Sequence, residues 1–334
     1  MRILVTGGTG FIGSHTCVEL LNAGYDIVVF DNFYNSKPDV VDTIKEITGK
    51  DFSFYNFDMM DKSAMFKLFD LHEIDAVIHF AGYKAVGESV EKPLMYYQNN
   101  LIGTMNLLEA MRAHNVKKLV FSSSATVYGM PETVPITEEF PLSVTNPYGR
   151  TKLMIEDMLR DLYRSDDTWT IVLLRYFNPV GAHKSGLLCE DPNGIPNNLM
   201  PRIVDAAIGK MPYLTVFGDD YNTKDGTGVR DYIHVVDLAQ GHLKALEAMV
   251  NGPFVEAVNL GTGKGYSVLE MIDTFERVNG IKVPYKIMER RSGDVAACYA
   301  DPAKAKHFLN WSASLNLEDM CRDVYHALKT KGIV

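Results

Sequence analysis

Cysteine is scarce in this 334-residue chain. The four residues, Cys17, Cys189, Cys298 and Cys321, form no C-x-x-C pair. That excludes a disulfide framework and the common zinc clusters, and it fits a reducing compartment. No apolar run is long enough to cross a bilayer. Positive charge is outnumbered, with 33 Lys and Arg against 42 Asp and Glu, which argues against a general binder of nucleic acid or membrane surfaces. An anionic ligand must then be met by a few placed cations or backbone N–H groups. There is no internal repeat and no low-complexity tract. The nine histidines show no metal-ligating spacing, so no metal is expected. Met1-Arg2 leads into a strand-like segment with no signal-peptide layout, and a cytoplasmic enzyme is the expectation.

What is present is alternation. Short apolar runs at 3–6, 27–31, 52–58, 76–80, 119–123 and 171–176 are separated by helix-like stretches at 11–23, 61–71, 93–114 and 148–164. Runs of a few residues, several rich in Val and Ile, suit strands buried on both faces. Strand and helix in alternation imply right-handed βαβ units, hence an α/β fold with a Rossmann-type, doubly wound parallel sheet. After Phe177 the pattern loosens. Four prolines fall in 178–201, and 218–228 is a polar loop. A strand at 257–260, a helix at 267–278 begun by a Ser267/Glu270 capping box, and a last helix at 317–329 follow. The expected division is a dinucleotide-binding domain over 1–178 and a smaller mixed α/β substrate domain over 179–334. Residues 229–250 are candidates to return to the first.

Thr6-Gly-Gly-Thr-Gly-Phe-Ile-Gly13 joins the first strand to the first helix. Gly7, Gly8, Gly10 and Gly13 permit a tight turn, close approach to a pyrophosphate and close helix–strand packing. The helix N-terminus adds free N–H groups and the positive end of its dipole. Ser14 stands where a P-loop needs lysine, so that reading fails. Asp31 ends the second strand 18 residues after Gly13, where an acceptor for a ribose diol belongs. Its carboxylate repels a 2′-phosphate and no Arg follows it, so NAD is expected rather than NADP.

Tyr148-Gly-Arg-Thr-Lys152 sets a phenol and an ammonium one helical turn apart. A phenol of pKa ~10 is a weak base at neutral pH. A cation at ~4 Å is worth about 4 kcal/mol to the phenolate at an effective dielectric of ~20, which would lower that pKa by about three units. This is chemistry for taking a proton from an alcohol beside a hydride acceptor. The pair follows a strand ending Phe121-Ser-Ser-Ser-Ala-Thr-Val-Tyr-Gly129, and the carboxyl ends of parallel strands are where open sheets hold ligands. Ser124 is the hydroxyl chosen to bond the reacting group.

Over nearly its whole length the chain resembles the extended short-chain dehydrogenase/reductases, and within them those that epimerise nucleotide sugars. The motifs are TGGTGFIGSH at 6–15, DN at 31–32, HFAGYKAVGES at 79–89, SSSATVYG at 122–129, YGRTK at 148–152, RYFNPVGAH at 175–183, GIPNNLMP at 194–201, GTGVRDYIHV at 226–235 and RRSGDVAACYAD at 290–301. The resemblance implies reversible inversion at C4 of UDP-hexoses, UDP-galactose to UDP-glucose, through a transient 4-keto sugar and NADH. Tyr148 would be the acid–base residue, Ser124 its helper, and Lys152 its tuner and a ligand of the nicotinamide ribose. Phe11 and Ile12 would line the pyrophosphate turn. Asp31, Asn32, Asn35 and Ser36 would hold the adenosine ribose, with Asp58 and Met59 flanking adenine. Phe80, Ala81, Gly82 and Lys84 would run along the cofactor, completed by Asn99 and Phe177.

The resemblance places the UDP-hexose on the second half. Asn178, Asn198, Leu199, Thr215, Phe217, Arg230, Tyr232, Arg291 and Asp294 match the family's nucleotide-sugar contacts, with Thr126 joining Ser124 and Tyr148 at the sugar. Arg230 and Arg291 can supply forked donors to a diphosphate. Cys298 falls where some relatives carry a bulky tyrosine beside the hexose. The smaller residue implies room for an N-acetyl group, and so action on UDP-N-acetylgalactosamine and UDP-N-acetylglucosamine. The alternative is a core cysteine whose space Tyr299 fills. The family also implies a homodimer paired through helices near 93–114 and 148–164. A 4,6-dehydratase would need an Asp-Glu pair after the strand-end hydroxyl, but Ala125-Thr126-Val127 follows Ser124. A non-catalytic NAD-binding protein would not need Ser124, Tyr148 and Lys152 together.

Overall fold

A computed structural model describes residues 1–194, 196–291 and 294–334; positions 195 and 292–293, inside two of the motifs above, lie outside the described residues. Seven parallel strands form the central sheet. They are β1 (Arg2–Thr6), β2 (Asp26–Asp31), β3 (Ser53–Asn56), β4 (Ala76–His79), β5 (Lys118–Ser124), β6 (Thr170–Tyr176) and, after four short strands, β11 (Phe254–Leu260). Their order is β11-β6-β5-β4-β1-β2-β3. The order reverses at β1, so the carboxyl ends of β1 and β4 flank a crevice, the expected ligand position in such a sheet.

The sheet is covered on both faces, and the period-2 alternation of its strands shows how. Ile3, Val5, Ile27, Val29, Ile78, Val120 and Val172 pack with residues of helices Phe11–Asn22 and Val235–Ala248. Leu4, Val28, Val77, Leu119, Phe121 and Leu173 pack with helices Lys62–Leu71, Gly103–Ala113 and Pro147–Ser165 on the other face. The run at 52–58 yields only a four-residue strand. Helix Asp39–Thr48 is absent from the expected pattern, although Val40, Val41, Ile44 and Ile47 carry helical spacing. The stretch 93–114 is helical but not one α-helix. A π-helical turn, Gln98–Ile102, separates Pro93–Tyr97 from Gly103–Ala113.

The short strands β7 (Asn178–Val180), β8 (Leu214–Phe217), β9 (Val229–Arg230), β10 (Tyr232–His234), β12 (Tyr266–Ser267), β13 (Tyr285–Met288) and β14 (Ala297–Cys298) make three small sheets, β10-β7, β12-β9-β14 and β13-β8. A third core lies beside them, among helices Leu199–Ala207, Val268–Asn279 and Leu317–Thr330. The capping box of Ser267 and Glu270 is formed. The chain crosses between cores repeatedly. Helix Val235–Ala248 and Trp311 pack on the first core, and the strand read at 257–260 is the edge of the main sheet. A single cut at 178 therefore does not part the two regions. Among the described residues, no helix is long and apolar enough to cross a membrane.

Candidate active site

The glycine turn is built as its chemistry requires. Gly7 has φ +67°, and a Cβ there would lie 2.7 Å from the Ala81 backbone nitrogen. A Cβ on Gly13 would strike the Gly7 carbonyl oxygen and come within 2.9 Å of Gly8 Cα. Helix Phe11–Asn22 starts at Gly10 with no side-chain cap and no acid in its first turn. Its free N–H groups and dipole are thus left for an anion. Asp31 is buried at the end of β2. Its carboxylate accepts from Thr9 N (3.1 Å) and Phe33 N (2.9 Å), and the Thr9 and Ser36 hydroxyls pair at 2.7 Å. Asn32 Nδ2 donates to Asp58 at 2.7 Å.

From this turn a cleft of about 850 Å³ runs along the carboxyl ends of the strands. Its lining brings together Gly7, Gly10, Phe11, Ile12, Gly13, Asp31, Asn32, Asn35, Ser36, Met59, Phe80, Ala81, Gly82, Lys84, Asn99, Tyr148, Lys152 and Asn198. Among the described residues it does not include Asp58, Ser124, Thr126, Phe177 or the second-half substrate candidates other than Asn198. The length, the glycine cradle and the uncapped helix end fit a dinucleotide.

Asn146 caps helix Pro147–Ser165 through Gly149 N (2.8 Å), with Pro147 at the first helical position. Tyr148 therefore enters at the very start of the helix, where it lines the cleft. Lys152, one turn on, is 5% exposed. Its ammonium donates to the Ser122 carbonyl at 2.6 Å and lies 4.9 Å from the Phe121 ring centre. Burial brings its pKa down to about 7. The expected downward pull of Lys152 on the phenol is not what dominates here. Burial holds Tyr148 above its ordinary pKa, and the opposing influence is the Ser124 hydroxyl. The lysine nitrogen stands 6.0 Å from the phenol ring centre and is engaged by Ser122. Ser124 closes β5, and its oxygen accepts from Thr126 N (3.2 Å) and Thr126 Oγ1 (3.0 Å).

The second-half candidates gather in register pairs. Arg230 lies opposite Cys298 on β9 and β14, and Tyr232 opposite Asn178 on β10 and β7. Arg230 makes an ion pair with Asp294, and the Arg291 guanidinium sits 4.0 Å from the Phe217 ring centre. Thr215 and Phe217 share β8, while Asn198 stands before helix Leu199–Ala207. Cys298 is half-buried beside the cluster of Val127, Phe177 and Ala300. Tyr299 does not share its space, because that ring stands against Gly265, 2.9 Å from where a Cβ would be.

Sequence reasoning missed the segment that crosses over the cleft. Cys189 to Gly194 line it. Lys84 pairs with Glu190 at 3.5 Å, and Asn198 Nδ2 donates to the same carboxylate at 2.6 Å. Lys37 pairs with Asp191 at 2.5 Å, and the Asn193 amide faces the carbonyls of Phe33 (3.2 Å) and Ser36 (3.0 Å). The only sequence signal was a loop rich in Pro, Gly and Asn. His79 bonds the Thr6 and Thr104 hydroxyls (2.7 and 2.9 Å), and burial brings the imidazoles of His79 and His15 down to about 3. No group of three His, Cys, Asp or Glu among the described residues could hold a metal ion.

Comparison with known proteins agrees with this geometry. Residues 4–324 match the family model described as GDP-mannose 4,6 dehydratase. The UDP-glucose 4-epimerase of Bacillus subtilis is 64% identical over 323 residues, covering 97% of this chain and 95% of that protein. The structure of the UDP-glucose 4-epimerase from Bifidobacterium longum in complex with NAD+ and UDP superposes with a TM-score of 0.96 at 54% identity, covering 99% of both chains. That of the Stenotrophomonas maltophila enzyme, with NAD and a formylated UDP-arabinopyranose, gives 0.97 at 48% identity, covering 100% of this chain and 99% of that one.

Proposed function

The chain belongs to the UDP-glucose 4-epimerases, inside the broader family described by the GDP-mannose 4,6 dehydratase model, and from that premise we propose how its residues divide the work. The protein is an NAD-dependent epimerase that inverts C4 of UDP-hexoses, converting UDP-galactose and UDP-glucose into each other. Bound NAD would supply the hydride acceptor, and in its reduced form the donor, that inversion at C4 requires without net oxidation of the sugar. The glycine turn and the helix end at Gly10 hold its pyrophosphate, Asp31 its adenosine ribose, and Lys152 its nicotinamide ribose.

Tyr148 removes the proton from the sugar 4-OH and gives it back at the same oxygen, and Ser124 hydrogen-bonds that hydroxyl. Ionising a buried phenol calls for neighbouring positive charge, and the Lys152 ammonium and the oxidised pyridinium are its sources. Arg230 and Arg291 take the UDP diphosphate, Phe217 packs on the nucleotide side, and Asp294 accepts from the uridine ribose. UDP is thus held by charge while the hexose turns between the two transfers. The observation that carries this reading is the helix-start phenol that lines the cleft with Lys152 one turn on, its hydroxyl under the influence of Ser124. The dehydratase in the family name is disfavoured by Ala125-Thr126-Val127, which supplies no carboxylate after Ser124. Tyr148→Phe should keep its fold and cofactor and lose about 10²-fold or more in kcat; epimerisation of UDP-galactose at the parent rate would overturn the assignment.

Four finer points belong to the same proposal. Half-buried Cys298, with Tyr299 turned away, leaves room for an acetamido group, so UDP-N-acetylgalactosamine is a substrate too. The chain works as a homodimer: Leu94, Met105 and Met154 are exposed on the helices around 93–113 and 147–165, and Val90 on the preceding helix Val86–Glu91, apolar surface that pairing would cover. It resides in the cytoplasm, in keeping with four unpaired cysteines. Residues 1–178 with 235–260 are read as the cofactor-binding part and the remainder as the sugar-nucleotide part.

A further inference from the structure

Beneath the site lies a charged group that the mechanism above does not use. Glu156 is wholly buried, and Arg175 and Ser123 are 1% exposed. Glu156 Oε1 accepts from the Ser123 hydroxyl (2.6 Å) and Arg175 Nε (3.0 Å), and Oε2 from Arg175 Nη2 (2.6 Å) and Arg160 Nη2 (3.2 Å). The free arm of Arg175, Nη1, donates to Tyr128 OH at 2.9 Å. Every polar group of the cluster thus has a partner, and the arginine meets the carboxylate through a two-pronged fork whose geometry is fixed.

The placement of this cluster matters more than its strength. Glu156 follows Lys152 by four residues and Tyr148 by eight, so the three share one stripe of helix Pro147–Ser165. On β5 the same stripe grips two consecutive residues, Lys152 the Ser122 carbonyl and Glu156 the Ser123 hydroxyl. The next residue is Ser124. A buried ion pair returns little net stability compared with apolar residues of similar volume. Its directional bonds, in contrast, fix how far one element slides or turns on another.

We propose that Glu156, Arg175 and Ser123 are positioning residues that lock the register of the Tyr148 helix against β5, holding the phenol in line with Ser124, and that they act on turnover and not on binding. The inference rests on the assignment of Tyr148 and Ser124 as the proton-handling pair. Arg175 belongs to β6, which runs into the cleft at Tyr176, so the lock joins three elements that meet at the reacting atoms.

The test replaces the three residues together by apolar side chains, so that none of the trio keeps an unpaired charge or hydroxyl: Ser123→Ala, Glu156→Met and Arg175→Met, in the NAD-loaded enzyme. The expected variant melts near the parent and carries the parent's NAD content. It shows a UDP-galactose KM within about twofold and a kcat lower by about tenfold or more, the usual cost of a misplaced reacting group. A well-folded variant with the parent's kcat, or one whose KM and NAD content worsen in step with kcat, overturns the proposal. If the triple variant does not fold, Ser123→Ala alone decides, because it leaves the ion pair intact. A drop of about twofold or more in kcat at constant KM supports the lock, and an unchanged kcat overturns it. Tyr148→Phe, assayed alongside, separates the two claims. If it is as active as the parent, the catalytic reading itself fails; if it is inactive while the triple variant turns over normally, only the positioning role falls.

Discussion

Lys152 links the stability of the fold to the electrostatics of the site, and Lys152→Met exposes the link. The side chain is 5% exposed and its ammonium has one hydrogen-bond partner among the described residues, the Ser122 carbonyl. Burial brings its pKa from an ordinary 10.5 to about 7. In the unfolded chain the amine stays protonated up to 10.5, whereas in the folded protein it gives up its proton from about 7 upward. Below the lower value both states carry the charge, and folding bears the whole cost of burying it. Between the two values the unfolded state binds more protons, so stability rises with pH. At ~1.4 kcal/mol per pKa unit the full cost is about 5 kcal/mol, and about 3 kcal/mol of it is relieved between about pH 7 and about pH 9.5. Methionine occupies a similar volume and does not titrate. Urea unfolding of the cofactor-free parent and variant at those two pH values reads the difference, since all other groups titrate alike in both. The variant's advantage should shrink by about 3 kcal/mol on going to the higher pH. An unchanging separation of the two curves refutes the reasoning. The variant should also lose kcat, because the charge that favours the Tyr148 phenolate is gone.

The other predictions test separate parts of the site. Gly7→Ala places a Cβ 2.7 Å from Ala81 N at a φ of +67°, and purified protein should carry little NAD by ultraviolet absorbance; full occupancy would contradict the turn's role. Cys298→Tyr should cut turnover of UDP-N-acetylgalactosamine by about tenfold or more while UDP-galactose stays within about twofold, and equal losses on both sugars would refute the gating role. Leu94→Asp, at a side chain 74% exposed, should move the protein toward monomer in sedimentation, and an unchanged mass would exclude that face as the dimer contact.

How much of this was readable in advance depended on what set each feature. The parallel strands were legible because burial on both faces leaves a run such as Ile3-Leu4-Val5 with no polar alternative. The glycine turn was legible because steric demand permits few other residues, as the contacts around Gly7 and Gly13 show. The π-helical turn at Gln98–Ile102 was not. Its wider winding buries Asn99 and Asn100, and Asn100 is held by bonds to Tyr83 N (2.8 Å) and Thr151 Oγ1 (3.0 Å), partners that arrive only with the tertiary fold. The pKa balance of Tyr148 was misjudged for the same reason. Spacing on a helix reveals that Lys152 is near, but not that its ammonium is bound to Ser122 and that desolvation outweighs the attraction. The crossover at 189–194 carries no periodicity at all, and its partners lie about 150 residues away in sequence.

The return of the chain to the main sheet bears directly on the chemistry. Tyr176 ends β6 and lines the cleft, while Asn178, two residues later, begins β7 beside Tyr232 of the part proposed to hold the sugar nucleotide. At ~3.3 Å per residue the two walls are separated by about 7 Å of extended chain. That short span is bonded on both strands: Phe177 N donates to Leu260 O at 3.3 Å and Asn178 N to Asp231 O at 2.9 Å. Asp231 is itself fixed by Thr262 N (2.8 Å), Gly263 N (3.0 Å) and Ala300 N (3.1 Å). An enzyme that removes a hydrogen and restores it to the other face needs a constant distance between cofactor and sugar while the sugar turns. A flexible linker between two self-contained domains would let that distance drift. Threading β11 back into the cofactor sheet, with the sugar-nucleotide strands branching from its neighbour, makes the spacing a property of one continuous hydrogen-bonded frame.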